Sequence, residues 1–257
     1  NTMRSQNCRG FTLVEMALVL LIMGLLLGGG LTVLTTQLEQ RRISDTQHLL
    51  DEAREALIGF AVANGRLPCP AAGNVATGVA GAGMESAATI LGCTGGQTGV
   101  LPWATLGVSQ SDAWGWRFTY RVPAQFSRTV DATRALTLAN FPGCVAATLP
   151  TVTLARAAFA LCSAGDNNVC PSSAGCPAAA VASAVPAVVV SHGRLGAGAF
   201  NDAGTLIAAS ADPDEASNSD GNQNFVSHTP TQAFDDIVTW IAPSILFNRM
   251  VQAGKLP

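Results

Sequence analysis

The residues best placed to do chemistry fall into four groups. Glu15 stands at the head of residues 16–38, a run of 23 residues without a charge. A carboxylate beside so apolar a run is costly unless it is paired, so it marks a functional position. Asp212, Asp214, Glu215, Asp220 and Asn222, with Gly221 among them, crowd oxygen donors into one short segment. Hard cations such as Ca²⁺ take about six to eight oxygens, which makes Asp212, Asp214, Asp220 and Asn222 candidate calcium ligands. The spacing lacks the glutamate that closes an EF-hand loop, so an ordinary solvated acidic loop is the favoured reading. Ser191-His192-Gly193 sets a hydroxyl beside an imidazole, yet no Gly-x-Ser-x-Gly elbow exists. His192 and His228 therefore read as structural or surface groups, and Asp235-Asp236 as strand-edge or capping carboxylates. No Walker loop, dinucleotide fingerprint or His-Glu-x-x-His occurs, so no catalytic residue is assigned and an enzyme is not expected.

The seven cysteines form the fourth group. Cys8 precedes the apolar run, whereas Cys69, Cys93, Cys144, Cys162, Cys170 and Cys176 follow it. An even number beyond such a run reads as disulfides in an oxidising compartment. Pairing by proximity in sequence gives Cys69–Cys93, Cys144–Cys162 and Cys170–Cys176, one of fifteen possibilities. Zinc is disfavoured, because no Cys-x-x-Cys occurs and no histidine lies near the cysteines.

Composition narrows the function classes. The 257 residues suffice for one or two domains with a hydrophobic core. Hydrophobic residues make up 48% and the mean hydropathy is +0.31, which excludes a disordered polar chain. Fourteen basic and 17 acidic residues give a net charge of −3, so no basic excess exists to bind nucleic acid by bulk charge.

Several elements must position these groups. Residues 16–38 are long enough for one membrane span, which takes about 20 apolar residues. A cleaved secretory signal is disfavoured, because the run is too long and no Ala-x-Ala site follows it. Arg4 and Arg9 before the run nearly balance Arg41 and Arg42 after it, so basic residues do not fix its orientation. The cysteines do, and they put the following head outside the cytoplasm. Residues 39–63 continue as an amphipathic helix with an apolar stripe of Leu49, Ala53, Ala56 and Phe60, beside Leu50, Leu57 and Ala61. Asn64-Gly65 and then Pro68 stop it. Gly24 and Gly28-Gly29-Gly30 weaken the apolar half, as packing notches or as a point where the helix loosens. Residues 116–122 alternate apolar and polar as a half-buried strand does. Further strands are expected at 157–161, 187–191, 205–209 and 236–240, and a closing helix at 243–253. Strands without regular intervening helices predict an antiparallel sheet, hence an α+β fold.

Gly10-Phe11-Thr12-Leu13-Val14-Glu15, directly before the apolar run, resembles the processing site of type IV pilins and type II secretion pseudopilins. The resemblance implies that prepilin peptidase cuts between Gly10 and Phe11 and that Phe11 becomes N-methylated. Glu15 is then the fifth mature residue, and its carboxylate pairs with the Phe11 amine of a neighbouring subunit during assembly. The implied layout is a leader over 1–10, a long helix over 11–63 and a disulfide-containing globular head over 64–257, in a pilin-like α+β fold. The spanning half of the helix is about 16–38. Gly65-Arg66-Leu67-Pro68-Cys69-Pro70, Asp112-Ala113-Trp114-Gly115-Trp116 and residues 234–240 also resemble head features of large pilin-like proteins. Some pseudopilins hold calcium in a head loop, so calcium is the one cofactor the resemblance brings in. The implied function is a structural subunit of a pilus or pseudopilus, its large head suiting a minor or tip position. Its partners would be other pilin or pseudopilin subunits, prepilin peptidase and inner-membrane lipid. It would sit as a single-pass inner-membrane protein with a periplasmic head before assembly. The alternatives are a membrane-anchored periplasmic binding module, with or without calcium, that does not polymerise, and a tethered enzyme.

Overall fold

The computed structural model describes residues 12–130 and 157–256, with the backbone alone for residues 25–35. The chain divides into two units, one up to Ser44 and one from Asp45 onward. Helix α1, Leu13–Asn64, supplies all secondary structure of the first unit and enters the second. Its backbone stays helical through Gly24 and Gly28-Gly29-Gly30. In the first unit Leu13, Val14, Leu18, Leu20 and Leu21 are all exposed.

In the second unit α1 buries one face. Thr46, Leu50, Ala53, Leu57 and Ala61 recur at spacings of three and four and are sealed from solvent, with Ile58 beside them. Leu49, Ala56 and Phe60 lie at the edge of this face and are only half-buried. The buried stripe is thus rotated from the expected one, because its axis includes a threonine. Thr46 is buried because its hydroxyl accepts a hydrogen bond from the Ala113 amide, 3.2 Å away. The helix ends as expected at Asn64, followed by Gly65 at φ 72°. Lys255 donates to the Ala63 carbonyl at 3.1 Å, meeting one of the orphan acceptors of the last turn.

The remaining elements follow in order. Strands β1 (Ala88–Thr89) and β2 (Gly92–Cys93) form a small hairpin. Then come β3 (Thr98–Val100), α2 (Trp103–Leu106), β4 (Thr119–Arg121) and α3 (Ala124–Ser127). After residue 156 come β5 (Asn167–Cys170), β6 (Ala182–Val185), β7 (Ala187–Ser191) and α4 (Pro213–Ser217). Strands β8 (Asn224–Val226) and β9 (Ile237–Ile241) and helix α5 (Pro243–Gln252) close the chain. The main sheet has the order β3-β4-β7-β9 and is antiparallel throughout. A second sheet has the order β6-β5-β8, in which β5 and β8 run parallel. The architecture is α+β, with that parallel pair as an exception to the expected antiparallel pattern.

Strand β7 shows why the layers stack. All five of its residues are buried. Ala187 and Val189 join the cluster containing Leu50, Leu57, Tyr120, Leu246 and Met250, which is the helix side. Val188 and Val190 join Val169, Val185 and Phe225 from the second sheet. A strand covered on both faces needs apolar residues at successive positions, hence Ala-Val-Val-Val. Residues 116–122 are covered on both faces too, here by loops and polar partners, which corrects their half-buried reading. Phe118, Tyr120 and Val122 are buried on one side, and Arg117, Thr119 and Arg121 are buried as well. Residues 157–161 form bends rather than a strand, with Phe159 in the core against Phe126 at 4.8 Å. Residues 205–209 contribute one isolated bridge, Phe200 to Leu206, because turn chemistry around Gly204 interrupts the run.

Disulfides join Cys69 to Cys93 and Cys170 to Cys176. Cys162 is also disulfide-bonded, and Cys144 lies outside the described residues. Arg117 performs a comparable tie with hydrogen bonds. Its guanidinium donates to the carbonyls of Gly73, Val75 and Asp202 and to the Thr77 hydroxyl, at 2.8–3.0 Å. It also stacks 4.7 Å from the Trp103 ring centre. A lysine has one nitrogen and cannot reach all four acceptors. Arg117→Lys should lower unfolding free energy by about 2–4 kcal/mol in thermal or denaturant melts; a loss below about 0.5 kcal/mol would contradict the role given to this fork.

Candidate functional site

The N-terminal candidate begins with a cap. The Thr12 amide and hydroxyl donate to Glu15 Oε2 at 2.9 and 3.0 Å, and the Glu15 amide donates back to the Thr12 hydroxyl at 3.3 Å. This is a reciprocal capping box, Thr-x-x-Glu, at the first turn of α1. The Thr-x-x-Glu spacing before an apolar run is its local signal, which the reading of Glu15 as an anion alone passes over. Both Thr12 donors fall on one oxygen, so the cap leaves Glu15 Oε1 unused. The carboxylate is exposed in the isolated chain and sits where the helix dipole favours an anion. Gly10 and Phe11 lie outside the described residues. Among the described residues, no helix is long and apolar enough to cross a membrane; the expected span includes residues 25–35, whose side chains are outside the description.

The candidate calcium ligands of the acidic segment each have hydrogen-bond partners of their own. Asp212 caps α4, accepting from the amides of Asp214 and Glu215. Asp214 accepts from the Ser173 amide and hydroxyl at 2.8 and 2.6 Å and lies 3.3 Å from His228. Asp220 accepts from the Asn222 amide, and Asn222 Oδ1 accepts from the Asn224 amide. Asp212, Asp220 and Asn222 are thus used in a cap and local turns, and Asp214 in long-range contacts with Ser173 and His228.

The carboxylates that do converge are Glu215, Asp235 and Asp236. One oxygen from each lies within 4.8 Å of the others. Helix α4 presents Glu215, which is 0% exposed, and the other two precede β9. Asn218 fastens the group. Its amide nitrogen donates to Asp236 at 2.8 Å and to the Val226 carbonyl, while its oxygen accepts from the Val226 amide. Asp235 accepts from the Leu195 amide at 3.1 Å. Gly193, at φ +52°, passes so close that a Cβ there would lie 2.7 Å from the Asp235 carboxylate. Only glycine suits that position.

His192 adjoins the group. It is fully buried, with Nε2 2.8 Å from the Thr119 hydroxyl and Nδ1 3.6 Å from Asp236 Oδ1. Ser191 instead donates to Asp112 at 2.6 Å, and Asp112 caps the turn at Trp114 and Trp116. The Ser191-His192 pair thus splits between two partners. Two surface concavities, about 510 Å³ beside α5 and about 440 Å³ beside α1, lie elsewhere and are lined by neither residue.

Electrostatics mark Glu215 most strongly. Burial, then the negative charge of Asp236, push its carboxyl up to about 7, and the Ser210 hydroxyl works the other way. Burial likewise raises Asp235 and Asp112. A carboxyl raised in the folded state binds more protons there than in the unfolded chain, so stability falls as pH rises from about 4.5 to about 7. In chelating buffer, Glu215→Gln should therefore melt above the parent at pH 8, with the gap closing toward pH 4. A gap that is independent of pH, or widest in acid, would contradict this.

No curated protein and no solved structure matches the chain. Residues 5–31 match the family model described as the prokaryotic N-terminal methylation motif. That stretch contains Gly10, Phe11, Thr12 and Glu15. Over those residues the chain carries the prepilin-type cleavage and methylation signal found in type IV pilins and pseudopilins.

Proposed function

We propose that the protein is a structural subunit of a type IV pilus or a type II secretion pseudopilus and not an enzyme. Prepilin peptidase cuts between Gly10 and Phe11 and methylates Phe11. The mature chain waits in the inner membrane on α1, head in the periplasm, and enters a filament through that helix. The observation that carries this reading is the methylation motif, with Glu15 at the start of a helix whose next 23 residues have no charge. The exposed apolar side chains of the first turns support it, since they need lipid or neighbouring helices for cover. The disulfides support a head in an oxidising compartment. The head that follows α1 is large enough for a minor or tip subunit.

The pairing chemistry is specific. Cleavage creates a cationic amine at Phe11, and monomethylation leaves it protonatable. Glu15 Oε2 is already held by Thr12, so Oε1 is the oxygen that accepts the amine of an adjoining subunit. Burial of that carboxylate among helices without the amine would leave an unpaired charge in apolar surroundings. In cells with the peptidase, Glu15→Val should be cleaved normally yet enter filaments, or crosslink to other subunits through α1, at least tenfold less than the parent. Equal incorporation would contradict assembly by this pair, and a chain that never crosslinks would favour a tether that does not polymerise.

A further inference from the structure

We infer that Glu215, Asp235 and Asp236 form a binding site for one hard divalent cation of calcium size. Four of their oxygens make no hydrogen bond among the described residues: both of Glu215, Oδ1 of Asp235 and Oδ1 of Asp236. Buried carboxylate oxygens are normally paired, so orphan oxygens on three carboxylates that converge call for a common partner. Glu215 is the decisive member, being fully buried with neither oxygen in a hydrogen bond of good geometry; the Ser210 hydroxyl is near enough only to act on its charge.

The geometry fits one ion. Calcium–oxygen distances are about 2.3–2.6 Å, so oxygens on opposite sides of one ion lie up to about 5 Å apart. The three carboxylates offer one oxygen each within 4.8 Å of one another. An all-oxygen, all-carboxylate donor set selects a hard cation over zinc or copper. Arg194 is the neighbouring cation that acts on Asp235, and the Asn218 amide reaches Oδ2 of Asp236, leaving its Oδ1 for another partner. His192 Nδ1 lies 3.6 Å from Asp236 Oδ1, beyond a good hydrogen bond.

The donors come from two places in the chain. Glu215 belongs to α4, which packs on β8 of the second sheet, whereas Asp236 leads into β9 of the main sheet. A bound ion would tie the two sheets where Asn218 already bridges them. Binding of this kind is independent of whether the chain assembles.

The test uses the full chain in detergent, stripped with chelator and titrated with CaCl₂ by calorimetry, with melting curves alongside. One ion should bind per chain, and a hundredfold excess over Kd should raise Tm by about 5–10 °C. Glu215→Gln and Asp235→Asn should each weaken binding at least tenfold, while Asp220→Asn in the neighbouring acidic loop should bind as the parent does. No heat and no melting shift in the parent would overturn the site without reference to any variant. Undiminished binding by a folded Glu215→Gln, or loss of binding in Asp220→Asn, would overturn this choice of ligands.

Discussion

A carboxylate that begins a helix and then faces 23 uncharged residues is the constraint on which this molecule depends. Such a group can rest at a helix N-terminus, where backbone amides and the helix dipole favour it. Thr12 supplies that resting state with two donors on one oxygen. The cap does not satisfy the whole carboxylate, and the cost of the remainder grows when the surroundings become apolar. In the proposed function, the counter-ion is the amine of a mature N-terminus at Phe11, four residues earlier.

The second constraint is that a single helix meets two kinds of surroundings. From Asp45 on, α1 has a partner within its own chain, the main sheet, and buries Leu50, Ala53, Leu57 and Ala61. That sheet is covered on its far face by the β6-β5-β8 sheet, and β7 records both contacts in its alternating neighbours. Polar groups tie the layers together. Tyr120 donates to the Pro68 carbonyl, and Arg121 crosses from β4 to Asp166 and Asn167 beside β5. The Cys69–Cys93 disulfide then closes the long connection after α1, and Cys170–Cys176 a short loop at the end of β5.

Much of this was legible in the sequence where a local signal and a tertiary outcome agree. Asn64-Gly65 ends α1 because glycine takes a positive φ without strain, and Pro243 opens α5 because its missing amide costs nothing there. Legibility failed where distant partners decide. Alternation at 116–122 suggests one wet face, but the loop at 73–77 with Trp103 covers Arg117 and the start of β5 covers Arg121, so both are satisfied internally. Residues 157–161 are apolar enough for a strand, yet Phe159 is used as a plug against Phe126 and Phe247. The acidic residues at 212–222 read as a solvated loop with a calcium cluster as the alternative. The structure uses Asp212, Asp220 and Asn222 in a cap and turns, ties Asp214 to Ser173, and sends Glu215 inward to Asp235 and Asp236, some twenty residues away. No spacing rule contains that encounter, because it depends on how α4 and β9 are brought together.

The central claim is that Phe11 becomes a methylated N-terminus beside Glu15. Intact-mass and N-terminal peptide spectrometry of the protein recovered from cells that express the peptidase tests it most directly. The account predicts a chain that begins at Phe11 and carries one added methyl group on its amine. Material that retains residues before Phe11, or that is cut beyond the uncharged run, would contradict it.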